Sequence, residues 1–434
     1  MSTWRSWSGL ESAAGLEAVR PGDAAEVADV VRRARAAGRT VKSAGTGHSF
    51  TGIATPRDVH LLPERMRGIV AVDREAMTVT ALAGTQLKVF NAELARLGLS
   101  LHNMGDIAEQ TLAGAISTGT HGTGGRAAGL AAQVVGVELV TGTGEVLRAS
   151  AAESPEVLDL ARVGLGALGV LVTVTFAVEP LFLLRAEERP MSWTDALAAF
   201  DDLTAAHDHV DMYWFPHSDR MLTKRNTRVG TDLAAAEPLP RWRAWLDDDL
   251  LSNSVFGAQT AALNLAPRAI PAANRLASRL LGPRSYTDLA HRVLTTERRV
   301  VFREMEYAVP RAAGLDVLRA CRTAFERSGL TVSFPVEIRV APPDDVPLST
   351  SYDRDSFYLA FHTHRRADHT AYFALMEPIL RAHEGRPHWG KLHTLEAADV
   401  AALYPRLGDF LALRERLDPD RVFANPYLER VLGG

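Results

Sequence analysis

One cysteine, Cys321, stands in 434 residues. That excludes an intrachain disulfide framework and any metal or redox centre built from paired cysteines, and it fits a reducing compartment such as the cytoplasm. A charge excess is also missing, since 48 Lys and Arg against 52 Asp and Glu leave a net −4. A polyanion-binding surface would need a basic surplus, so no nucleic-acid partner is expected and any anion site must be local. Long apolar runs are absent as well. The longest, 165–178, is broken by Gly166 and Gly169, is too short to cross a bilayer, and reads as a buried strand with its approach. The opening Met1-Ser2-Thr3-Trp4-Arg5-Ser6-Trp7 carries no apolar leader. Residues 254–282 are rich in Ala and Leu but include Arg268, Arg275 and Arg279. A packed helix is expected there, with a peripheral membrane contact as the lesser alternative.

What is present has the texture of an α+β protein with two domains. In 23–37, Val27, Val30, Val31 and Ala34 recur at helical spacing behind an Asp23–Glu26 capping box, and Gly38 stops the helix. Strands are expected at 40–43, 58–62, 68–72, 77–82 and 169–179, a helix at 86–97, and a hairpin over 134–147. Beyond Pro180 the pattern changes. Aromatic residues crowd 211–216, an irregular loop is expected at 228–250, and strands at 301–309, 332–340 and 357–362 flank a helix at 312–328. The expected division is 1–180, 181–394, and a segment 395–434 returning to the first part.

Four segments could carry chemistry. In Ser43-Ala44-Gly45-Thr46-Gly47-His48-Ser49-Phe50, two glycines let the backbone approach a ligand and aim several N–H groups one way, which suits a pyrophosphate. The segment does not open a helix, so it is no Rossmann loop. Residues 105–125 hold six glycines interleaved with Ser and Thr. Such a stretch packs little side chain of its own and offers backbone donors and hydroxyls to a large flat ligand. In Val336-Glu337-Ile338-Arg339-Val340, strand alternation puts Glu337 and Arg339 on one face. A surface ion pair is the bland reading, a pair facing a polar substrate the functional one. Arg386-Pro387-His388-Trp389-Gly390-Lys391-Leu392-His393 concentrates two histidines, a lysine and a tryptophan. With His362 and His364 it could be imagined as a metal site, but no HExxH-type pair is present and no metal is expected.

Together these segments resemble the vanillyl-alcohol-oxidase superfamily of FAD-linked oxidases, and within it the aldonolactone oxidoreductases. The likeness runs nearly end to end. It includes Trp4-Arg5-Ser6-Trp7-Ser8-Gly9, the 45–49 turn, Ser117-Thr118-Gly119-Thr120-His121-Gly122-Thr123-Gly124 and Met305-Glu306-Tyr307. It continues through Glu337-Ile338-Arg339, His388-Trp389-Gly390-Lys391 and Leu417-Asp418-Pro419-Asp420-Arg421-Val422-Phe423-Ala424-Asn425. The resemblance implies an FAD-binding domain of two α+β subdomains and a substrate (cap) domain with an antiparallel sheet flanked by helices.

It further implies FAD contacts from Ala44, Gly45, Thr46, Gly47, His48, Ser49, Gly105, Thr111, Ser117, Gly119, His121, Gly122, Thr123, Gly124, Val170 and Lys391. His48 matches the position that bonds covalently to the flavin in many members. Gly105 matches a position whose small size leans towards oxidase activity. Glu337 and Arg339 would hold substrate oxygens, and Lys391 would lie beside the flavin and stabilise its reduced ring. His388, His362 and Thr363 are further catalytic candidates, and no single general base is assigned. The implied reaction is hydride transfer from a carbinol carbon of a sugar lactone such as L-gulono-1,4-lactone. O2 or an electron-acceptor protein would reoxidise the flavin. An alditol oxidase acting on xylitol or sorbitol, and a non-catalytic flavin-binding protein, are the alternatives.

Overall fold

The computed structural model describes residues 2–245 and 253–433. Helix 23–37 is realised as Ala24–Ala36, with Asp23 accepting from the Glu26 amide, while the Glu26 carboxylate reaches one residue further back, to Gly22 N. Its Val27, Val30, Val31 and Ala34 face a small core that also takes Val41, Val59, Leu61, Val140 and Val170. The strands expected before Pro180 fall in two sheets, joined by two that were not expected, Ser2–Arg5 and Ser12–Val19. One is four-stranded in the order Ser2–Arg5, Ser12–Val19, Val59–Leu61, Val41–Ser43. The other has five antiparallel strands in the order Ile69–Asp73, Thr78–Leu82, Val170–Ala177, Val134–Val140, Val146–Ser150.

After Pro180 the chain builds one antiparallel sheet of eight strands. Their order is Arg284–Leu289, Leu183–Ser192, Arg220–Gly230, His209–Trp214, Val336–Ala341, Ser356–His364, Phe302–Pro310, Arg386–Pro387. One face is apolar: Trp214 and Phe361 meet Phe325 and Tyr372 of helices Gly314–Ser328 and Thr370–Arg381. The opposite face is polar and looks towards the glycine-rich segments. This is an α+β fold in which helices cover one side of the large sheet. The last residues pack back on the N-terminal half: Val422 and Phe423 enter the Val27 core, and Val41 N donates to Val422 O at 2.8 Å.

Two expectations need correction. Residues 254–282 are not one packed helix but two, Phe256–Leu265 and Ile270–Leu280, and Leu265, Leu276 and Leu280 are 85%, 60% and 76% exposed. Pro267 and Pro271 stand between and at the start of them, and a proline cannot continue a helix from within. The loop expected at 228–250 begins later, because Arg220–Gly230 pairs with Leu183–Ser192 to its end; residues 246–252 lie outside the described residues. Among the described residues no helix is long and apolar enough to cross a membrane.

Candidate active site

Strand Val41–Ser43 delivers the chain into the turn at 44–50. Gly47 sits at φ +71°, a conformation glycine adopts without strain. Ala44 N and Phe50 N are committed to Leu61 O and Gly390 O. Between them the amides of residues 45–49 donate no hydrogen bond among the described residues. A run of free N–H groups is what a pyrophosphate requires, so the turn fits the phosphate part of FAD. Gly45 has a tighter reason to be glycine: a Cβ there would lie 2.3 Å from Thr111 Oγ1. That oxygen is engaged at 3.2 Å by Gly114 N, where Thr111 caps helix Leu112–Ser117.

The second glycine segment folds against 103–106. A Cβ on Gly122 would meet Met104 O at 2.3 Å, and one on Gly105 would meet Thr120 Cγ2 at 2.7 Å. Thr123 and Gly124 then dock on the large sheet: Thr123 Oγ1 donates to Val210 O at 2.6 Å and Gly124 N to Val340 O at 2.8 Å. Gly119 lies in the same segment at φ +71°. Ser117 offers its carbonyl to Leu165 N, and Val170 is packed in the Val27 core, opposite Val140 on the neighbouring strand.

His48 Nδ1 lies 3.0 Å from Thr46 Oγ1, and its ring stacks on Trp7 with centroids 5.5 Å apart. Trp7, Phe50 and Phe302 form an aromatic cluster beside it, and Lys391 Nζ lies 5.2 Å above the Phe50 ring. Burial lowers the His48 pKa to about 4, so the imidazole is neutral at physiological pH.

On the polar sheet face, register brings distant residues side by side. Asp211 pairs with Lys224, Tyr213 with Glu337, Arg339 with Tyr358, and Glu304 with His362. Arg339 donates from Nε to Asp211 Oδ1 at 3.0 Å and from Nη2 to Glu337 Oε1 at 2.6 Å, while Tyr213 OH donates to the same Glu337 oxygen at 2.8 Å. The Glu337–Arg339 pair is therefore a buried network and not a surface ion pair. Burial raises the Asp211 carboxyl against the pull of Arg339, and the three surrounding acids and Tyr213 overcome burial to hold the guanidinium firmly charged.

Further along the face stand Glu304 and Glu306, 3% and 2% exposed, which sequence reasoning did not assign. Glu304 forms ion pairs with Lys391 and, at 3.4 Å, with His362 Nε2. Burial works to raise its pKa, but these two partners bring it below the usual carboxylate value. Glu306 lies 3.4 Å from His121 Nε2 and 4.0 Å from Arg339 Nη1. His388 N donates to Glu306 O at 3.0 Å, and burial lowers its ring to about 3. The signal for these glutamates was in plain view: two carboxylates alternating with Arg303, Met305 and Tyr307 in strand Phe302–Pro310, and so sharing one face. Asp211 and Tyr213 show the same alternation among aromatics.

Thr363 is set apart. It follows Phe361 onto the helix-covered face, buried with Oγ1 unpartnered, while His362 points with Glu304 to the polar face. The histidines 362, 364, 388 and 393 do not converge either: His393 bonds Tyr427 OH, and His364 accepts from Arg366 N. Instead His121, Glu306 and His388 bring ligand atoms within 4.8 Å of one another. The Arg339 guanidinium already counters that carboxylate.

Comparison with known proteins bears on what this arrangement serves. Residues 174–431 match the family model described as D-arabinono-1,4-lactone oxidase, and residues 16–150 match the model described as FAD binding domain. The chain is 38% identical to the L-gulono-1,4-lactone dehydrogenase of Mycobacterium tuberculosis over 99% of each chain. It is 34% identical to an alditol oxidase of a Streptomyces species, over 99% of this chain and 98% of that one. A cholesterol oxidase structure from Brevibacterium sterolicum superposes with a TM-score of 0.83 over 99% of this chain and 96% of that one; at 16% identity it shows the fold alone.

Proposed function

This chain belongs to the D-arabinono-1,4-lactone oxidase family, and we propose that it oxidises a sugar-derived lactone of the L-gulono-1,4-lactone type with FAD. Bound FAD supplies the acceptor for the hydride leaving the carbinol carbon. The remaining work falls to the chain. The free amides of 45–49 hold the pyrophosphate, and the glycine segments around Gly105 and Gly122 leave room for a flat ring. His48 would hold the flavin by a covalent bond formed in place of a C–H bond on the ring's methyl group, its neutral imidazole supplying the lone pair that such a bond requires. Glu337 and Arg339 receive the lactone and hydroxyl oxygens, Lys391 with Glu304 sets the charge beside the ring, and His362 and His388 complete the wall. The hydroxyl proton passes to water or to a basic side chain of the wall as the hydride leaves, giving a 2-keto lactone. Residues 1–180 with 395–434 form the FAD-binding part and 181–394 the cap.

The observation that carries this reading is the Glu337–Arg339 network, buried on the one sheet face that looks onto the glycine segments. A face of fixed donors and acceptors suits a polyhydroxylated substrate. The test is anaerobic bleaching of the yellow holoprotein by L-gulono-1,4-lactone and by xylitol, followed by readmission of O2. Bleaching by lactone alone is expected. Bleaching by xylitol alone would establish polyol oxidation instead, a reading favoured by the likeness to alditol oxidase. Colour that neither substrate bleaches would mark a non-catalytic flavoprotein. Fast recovery of colour in O2 would mark an oxidase, consistent with Gly105; slow recovery would point to a protein acceptor.

A further inference from the structure

On the side of the polar face away from Glu304, a small cavity adjoins Gly122 and Arg339 and reaches Lys224 and Asn226, which have no part in the roles above. It measures about 20 Å³, and Met104, Asp106, Asp211, Lys224, Asn226 and Arg339 are among its walls. A space of that size holds one water or one hydroxyl group. Asn226 is 1% exposed, and neither its amide nitrogen nor its amide oxygen has a partner. It sits on strand Arg220–Gly230 opposite His209, two residues from Lys224 and on the same face as the Asp211–Lys224 pair. Leaving both ends of a buried amide unpaired is costly, and a chain that keeps such a group has a reason outside its own packing. The amide offers one acceptor and a pair of donors, the complement of a hydroxyl that both gives and takes a hydrogen bond.

The surroundings reinforce this. Lys224 Nζ spends one donor on Val293 O at 3.0 Å and has protons left, and Arg339 joins the cavity wall to Glu337. We propose that this cavity is a subsite for one side-chain hydroxyl of the lactone, with Asn226 as a specificity-determining residue that donates to it and accepts from it. The inference rests on the lactone reading above. Water takes the same place between turnovers and leaves as the hydroxyl enters.

The experiment uses the holoprotein and its Asn226→Leu and Asn226→Ala variants. Three substrates are compared: L-gulono-1,4-lactone and its 5-deoxy and 6-deoxy counterparts. The native protein is expected to show a KM about tenfold higher for one deoxy lactone. Both variants should raise the KM of the parent lactone to that same level, with kcat within about twofold and Tm unchanged or higher, because removing an unpaired buried amide takes nothing from the fold. An unchanged parent KM in both variants would overturn the subsite. So would a KM that rises equally for all three lactones, or loss of folding in both variants, since either would make Asn226 structural. If the native protein oxidises none of the three, the lactone reading itself has failed.

Discussion

Arg339 Nε and Asp211 Oδ1 lie 3.0 Å apart on adjacent strands, 128 residues apart in sequence. The same guanidinium binds Glu337, so one cation holds two buried carboxylates in place. Removing it strands both. Arg339→Ala is expected to lower stability by about 3–5 kcal/mol. Arg339→Lys keeps the charge but cannot fork between two acids, and should cut kcat/KM for the lactone about 100-fold or more with a smaller loss of stability. Thermal melts and steady-state kinetics check both; equal loss of stability in the two variants would contradict the forked geometry.

Glu304→Gln frees Lys391 and His362 from their shared partner. The Glu304 pKa is lowered in the folded chain, so its contribution to stability is complete above the ordinary carboxylate value of about 4.3 and is lost as pH falls below it. The native protein should therefore lose stability more steeply than the variant between about pH 5 and 3. Urea midpoints across that range read the difference, and parallel curves would count against the ion pair.

His48→Ala tests the tether. After acid precipitation, yellow colour should stay with the native protein and pass to the supernatant for the variant. Because the His48 imidazole is neutral down to about pH 4, the bound fraction should be the same at every pH from about 5 to 8. Release of flavin from the native protein would refute a covalent bond.

Gly122→Ala drives a Cβ to 2.3 Å from Met104 O and 2.6 Å from Asn103 Oδ1. Backbone cannot yield as a side chain can, so a cost of about 1–3 kcal/mol and a lower FAD content are expected. Gly105→Ala presses chiefly on the Thr120 methyl and should be milder. Flavin absorbance per protein and Tm measure both; full FAD occupancy in Gly122→Ala would mean the two segments separate freely.

Lys42 Nζ is buried between Gly166 O and Phe423 O, at 3.1 and 3.2 Å, and burial, helped by Arg414, lowers its pKa to about 7. The unfolded chain keeps that proton to about pH 10.4, so stability should rise as pH goes from about 7 to 10. Lys42→Met should flatten this slope, read from denaturant midpoints at pH 7, 8 and 9. An identical slope in the variant would show that Lys42 does not release its proton there.

Much of this protein could be read from its residues in order. Period-2 alternation put Glu337 and Arg339 on one face, glycine and serine content marked 44–49 and 105–125 as ligand-facing backbone, and the 3.6-residue spacing of Val27, Val31 and Ala34 located a helix. Each of these depends on local sterics, which act within a few residues.

The tertiary structure decided everything that needed a second segment. Alternation could not say which face of Ser356–His364 was polar, so His362 and Thr363 were equal candidates until pairing with Glu304 separated them. Nor could it show that Asp211 and Glu306 converge on Arg339 and Tyr213 on Glu337, or that Asn226 is buried without a partner. Those facts come from the register of strands far apart in the chain, set by how the whole sheet packs its apolar side on two helices. The sequence by itself determined which residues could do chemistry; strand register and burial chose which of them meet.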